Sequence, residues 1–151
     1  MKLDWVLPDR HVFPSIVATS AISMWTYQAF MVKRARDKAN VKAPNVNGDE
    51  EFEKVLVSYQ HTTEGLPSVL ASSFLCSYFL CPKASLGLGL GWVLSRLVFS
   101  CNYCCNKEKD CSWMKCIHLA LSHGCHIGLL LGSIFGIAVS LSNRHLLIKG
   151  A

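Results

Sequence analysis

Between Cys116 and Asn143 the chain carries no Asp, Glu, Lys or Arg. Coiled as a helix rising about 1.5 Å per residue, that stretch is long enough to cross a hydrocarbon core about 30 Å thick. The rest of the sequence follows the same pattern. Apolar segments over about 12–32, 52–81, 84–104 and 113–141 predict four transmembrane helices, and the charges gather in the short stretches between them. Only 17% of residues are charged, against about 25% in an ordinary soluble domain. The expected fold is therefore all-α: an integral-membrane four-helix bundle forming a single membrane domain over residues 1–151. Its longer loops are expected at about 33–51 and 105–112.

The net charge of +5 does not point to nucleic acid, because most basic residues flank apolar spans, as in membrane-bordering loops. The same residues suggest an orientation. With Arg96 set aside, nine of the Lys and Arg side chains fall in the first and third loops and five in the termini and second turn. The positive-inside rule then puts both longer loops in the cytosol. Asp4, Pro8 and Asp9 interrupt the start of the chain, and its first apolar run ends at Lys33-Arg34, not at a small-residue cleavage site. That run reads as a retained anchor.

Span four carries Gly124, Gly128, Gly132 and Gly136, one residue in four; span three repeats this at Gly87, Gly91 and Ser95. Such stripes let a second helix approach closely. The Gly87–Gly91 run lacks the spacing and preceding strand of a dinucleotide fingerprint. Eight cysteines are present, most inside or beside apolar spans, where small buried hydrophobes are the ordinary reading. Cys101, Cys104 and Cys105 at the end of span three suit packing or palmitoylation, and no metal site is expected. His118, His123 and His126 do not share one helix face and read as polar residues at a helix interface.

Two permanent charges lie well inside the spans: Glu64 in span two and Arg96 in span three. A charge at bilayer depth costs at least about 2.5–3.5 kcal/mol and by default marks function. Val57, His61 and Glu64 share one helical face, as do Arg96, Phe99 and Tyr103. If the faces meet, Glu64 and Arg96 pair around a polar pocket opening to the cytosol. Such a pocket suits a charged small molecule presented to a partner dissolved in the membrane.

Three stretches carry a family resemblance: Val32 to Pro44, Phe52 to Pro67 ending Gln60-His-Thr-Thr-Glu-Gly-Leu-Pro67, and Cys81 to Phe99. They resemble the MAPEG family, the membrane-associated proteins of eicosanoid and glutathione metabolism. The resemblance implies a homotrimer in the endoplasmic reticulum membrane, or alternatively the mitochondrial outer membrane. It implies a glutathione transferase or peroxidase, with glutathione as co-substrate bound between subunits and lipophilic electrophiles or lipid hydroperoxides as partners. The positions matching family glutathione contacts are Arg36, Glu64, Arg96 and Tyr103, with Tyr59 and His61 as further candidates. The chain departs from the family pattern at Val57, His61 and Phe99, where an arginine, an asparagine and commonly a tyrosine are expected. The resemblance therefore keeps a second function open, a catalytically silent lipid-binding scaffold. A third reading outside the family is a small pore gated by Glu64 and Arg96.

Overall fold

A computed structural model describes residues 9–42, 44–105 and 112–149. The described residues form four helices and no strand: α1 (Asp9–Lys38), α2 (Glu50–Phe79), α3 (Pro82–Cys105) and α4 (Ser112–Lys149). α2 and α3 form the centre. Each packs on the other and on both outer helices, while α1 and α4 make no close backbone approach among the described residues.

The helix ends differ from the hydropathy spans for local reasons. α1 continues through the basic run to Lys38, with Arg36 and Lys38 in its last turn. Lys, Arg and Ala are good helix formers, and cations suit a helix C-terminus. The connection to α2 is correspondingly shorter than the loop expected from residue 33. α1 stops where Asn40 turns left-handed (φ 53°), a conformation Asn tolerates better than most residues. The Val41 N–H then closes back on the Arg36 carbonyl at 3.2 Å. α2 opens on three acidic residues, Glu50, Glu51 and Glu53, which complement the positive end of the helix. Glu53 also accepts the Gly48 N–H at 3.0 Å.

Pro14 lies inside α1, not in the opening turn where its missing N–H would go unnoticed. A proline there cannot donate to the carbonyl four residues back, which belongs to Arg10. That carbonyl instead accepts the Ser77 hydroxyl of α2 at 2.8 Å.

The interior is built from small and polar residues more than from large apolar ones. Ala21, Met24, Val69, Cys76, Trp92, Val93 and Leu129 form the apolar core. Between them lie buried serines. Ser85 donates to the Ser73 carbonyl at 2.6 Å and Ser133 to the Ser72 carbonyl at 3.0 Å, each joining two helices. The large apolar side chains point outward instead, among them Phe30, Leu94, Leu131, Ile134 and Phe135. This is the arrangement of a protein whose exterior solvent is lipid. Two helices contain stretches long and apolar enough to cross a bilayer unaided, Pro82–Cys101 and Ala120–Asn143.

The glycine stripe of α4 divides between two uses. A methyl group on Gly136 would meet the Phe79 backbone at 2.7 Å, and one on Gly132 would meet Cys76 and Leu80 at 3.2 Å. At Gly124 and at Gly87 of α3 the space is open. On the α1–α3 side, a methyl on Gly89 would lie 2.5 Å from the stiff, fully buried Val17. Gly136→Ala and Gly89→Ala are therefore expected to destabilise the detergent-solubilised protein by about 1–3 kcal/mol, the usual cost of overpacking. Gly128→Ala, whose new methyl would meet Leu88 at an ordinary 3.4 Å, is expected to change little. Thermal unfolding of the three variants checks the order; equal losses at all three would refute the close-approach account.

Candidate functional site

The centre of the bundle is organised by Trp92. Its ring is fully buried and lies against α2 at Gly65, where an added methyl would sit 3.2 Å from the indole edge. One turn further along α3, the Arg96 guanidinium rests over the same ring, 5.6 Å from its centre. Arg96 is 5% exposed, and its Nε and Nη1 groups are buried with no acceptor among the described residues. A cation over an indole face gains some electrostatic relief, but a guanidinium has five donors, and the ring satisfies none of them as a carboxylate would.

Glu64 is not that carboxylate. It forms no ion pair with Arg96, and its side chain is 74% exposed. This corrects the expectation that the two charges pair within the subunit. The reason is helical geometry. Gly65 occupies the α2 face that admits Trp92, so its neighbour Glu64 is turned about 100° around the helix. Glu64 stays within electrostatic reach of Arg96. Its direct neighbour is His61, with Nδ1 at 3.7 Å from the carboxylate on the same open face.

One turn beyond Glu64, Ser68 bonds His126 Nε2 of α4 at 2.8 Å, and His126 lies within electrostatic reach of Arg96. Glu64, Ser68, Arg96 and His126, from three helices, thus form one polar neighbourhood. The hydroxyl–imidazole link gives His126 the interface role expected from sequence. Its proximity to Arg96 was not legible, because nothing in the pattern of α4 tells which face meets α3. Gln28, Ser58 and Ser122 add further buried polar groups without partners among the described residues.

The other predicted positions lie elsewhere or are already engaged. Arg36 donates to the Asn45 carbonyl at 2.8 Å and rests over the buried Phe52 ring at 5.0 Å, so it ties the first loop down. Tyr59 is stacked on Trp25 of α1, with centroids 5.9 Å apart, and Trp25 donates to Thr63 at 2.9 Å. Val57 lines a cavity of about 220 Å³ between the first loop and α2, together with Asn47, Glu53 and Gln60. The Tyr103 side chain lies outside the described residues, as do those of Cys104 and Cys105. Nearby, Lys38 bonds Glu51 at 2.9 Å, which holds the Lys38 ammonium above its ordinary range, the hydrogen bond contributing more than the charge. That support is complete below about pH 10.4, the unfolded value, and is lost as the pH rises through the raised one.

The model of the MAPEG family covers residues 15–135. The chain belongs to the MAPEG family. It is 46% identical over 140 residues to a "Probable microsomal glutathione S-transferase" of Dictyostelium discoideum, covering 93% of this chain and 94% of that protein. It is also 30% identical over 98 residues to an uncharacterized protein of Synechocystis sp., covering 65% of this chain and 72% of the relative. Two of its helices are long and apolar enough to cross a bilayer, in keeping with the membrane character of this family.

Removing the Ser68 hydroxyl leaves a part-buried imidazole nitrogen without its partner. Ser68→Ala is expected to lower stability in detergent by about 0.5–2 kcal/mol, within the range for hydrogen bonds between membrane helices. His126→Phe, which removes the need for a partner, is expected to add little further loss to the Ser68→Ala variant. Additive losses in the double variant would show that the two side chains are not coupled.

Proposed function

We propose that this MAPEG protein transfers glutathione to lipophilic electrophiles, at a site closed by neighbouring copies of the chain in a homotrimer. The observation that carries the reading is the division of charge at one depth. Arg96 is buried with unengaged donors, while Glu64 and His61 stand open on the subunit surface. An acid on an outward face at bilayer depth is costly against lipid, and a neighbouring subunit relieves that cost by covering it. Glutathione supplies the complementary groups. One of its carboxylates suits the Arg96 fork, and its ammonium suits Glu64. Arg36, Tyr103 and Tyr59 are further contacts on the family resemblance alone, and His61 stands beside Glu64 on the open face.

The chemistry follows from charge. A nearby guanidinium lowers the pKa of the bound thiol and raises its thiolate fraction. The thiolate sulfur forms a bond to an electrophilic carbon, and the leaving group departs with its electron pair. With a lipid hydroperoxide, two glutathione molecules would instead become the disulfide while the peroxide is reduced to alcohol and water. An apolar groove of about 420 Å³ between α1 and α3, lined by Met24, Tyr27, Val93 and Leu97 among others, supports a lipophilic partner arriving from the bilayer. In this reading all four helices span the endoplasmic reticulum membrane, or alternatively the mitochondrial outer membrane. Residues 1–151 form one membrane domain, and the site lies in the cytosolic half. The branch of the family it resembles is the type 3 microsomal glutathione transferases.

The departures at Val57, His61 and Phe99, with Arg36 held by the first loop, favour a second reading: a silent, lipid-binding scaffold. Glutathione binding to the purified protein in detergent decides between them. Saturable binding is expected, weakened more than tenfold (about 1.4 kcal/mol) by Arg96→Met or Glu64→Gln and partly kept by Arg96→Lys. Turnover of chlorodinitrobenzene should fall in parallel. No saturation at millimolar glutathione, with fatty acids still bound, would overturn the transferase in favour of the scaffold.

A further inference from the structure

The corner where α2 meets α3 holds two cysteines whose thiol chemistry the glutathione reading does not use. Cys76 is in the last turns of α2 and fully buried; Cys81 immediately precedes Pro82, the first residue of α3, and is half-buried. Both are free thiols. Two backbone bonds close the turn: the N–H groups of Leu80 and Cys81 both reach the Cys76 carbonyl at 3.0 Å. With standard backbone lengths, the second bond keeps the Cα atoms of Cys76 and Cys81 within about 7 Å. A disulfide spans up to about that separation. The sulfurs do act on one another electrostatically.

The two thiols differ in reactivity. The Cys81 sulfur faces the start of α3, where the backbone N–H groups of Ala84 and Lys83 hold its thiol below the ordinary cysteine range. A sulfur at a helix N-terminus is more readily ionised, and the thiolate is the nucleophile. Cys76 is packed against α4, with its sulfur 3.2 Å from where a methyl on Gly132 would sit. It is screened from outside reagents but not from Cys81.

We propose that Cys81 and Cys76 form an oxidation-sensitive pair, in which Cys81 takes the first attack by a hydroperoxide and Cys76 resolves the product as an intramolecular disulfide. The Cys81 thiolate attacks the terminal peroxide oxygen, the O–O bond breaks, and the alkoxide takes up a proton to leave as alcohol. Cys81 is then a sulfenic acid, oxidised by two electrons. The Cys76 sulfur forms the S–S bond, the S–O bond breaks, and hydroxide leaves with the Cys76 proton as water. Two thiols and one hydroperoxide thus become one disulfide, one alcohol and one water. The bridge would fasten the last turn of α2 to the first turn of α3, at the corner where Gly132 and Gly136 of α4 are packed. This inference does not rest on glutathione binding.

The test uses the full chain in detergent, treated with one equivalent of cumene hydroperoxide and then alkylated with iodoacetamide before peptide mass spectrometry. Cys76 and Cys81 are expected to lose alkylation together and to regain it after dithiothreitol. In Cys76→Ala, Cys81 should accumulate as a sulfenic acid trapped by dimedone. The alkylation rate of Cys81 in that variant should reach half its maximum below about pH 8.5, the value for an ordinary cysteine. In Cys81→Ser, Cys76 should stay reduced. The proposal is overturned if both thiols remain alkylatable after oxidant, if Cys81 bridges to another cysteine or a second chain, or if Cys76 oxidises at the same rate without Cys81. The last comparison needs only the Cys81 variant, so a folding defect in Cys76→Ala would not leave the proposal untested.

Discussion

The contact between Trp92 and Gly65 sets the polar interior of this protein. A side chain at 65 larger than hydrogen would hold the indole away from α2. The indole in turn supports the Arg96 guanidinium, and its seat on Gly65 turns Glu64 outward. One close approach between two central helices therefore separates an acid from a base at similar depth. Each is left with binding capacity that the subunit does not use. In water the separation would cost little. Within a bilayer charge is expensive, and this is the physical ground for the proposal that the site is shared between copies.

The serines do the complementary work. Large apolar residues gain nothing by hiding from lipid, so the helices are joined by small residues and hydroxyls that donate to carbonyls of neighbouring helices. Ser85 to Ser73 links α3 to α2, and Ser133 to Ser72 links α4 to α2. α2 receives most of these bonds, consistent with its central place. It is also the helix that carries the His-Thr-Thr-Glu-Gly-Leu-Pro run, so the most recognisable motif lies on the element most constrained by neighbours.

How much of this was legible in the sequence can be judged from particular residues. The uncharged stretch ending at Asn143 announced α4 at once, because a water-soluble domain seldom has a core deep enough to hide an apolar run of bilayer length. The motif around Glu64 announced the family, and the comparisons agree. Arg96 and Glu64 were recognisable as unusual from depth alone. Their separation was not, because it depends on which face of α2 the Trp92 ring occupies, a fact about two helices together. The Ser68–His126 link escaped for the same reason, being a contact between residues far apart in the chain. Hydropathy sees Lys33–Lys38 as a loop, whereas backbone propensity keeps α1 helical through Lys38.

The bond from Ser77 to the Arg10 carbonyl has a consequence for biogenesis. α1 is synthesised before α2, and Pro14 deprives its opening turn of an amide donor. Until α2 has emerged and folded alongside, that carbonyl must borrow water. The first helix thus enters its final environment with one end chemically unfinished, and pairing of the first two helices becomes a condition for seating the amino-terminal turn rather than an event that follows it.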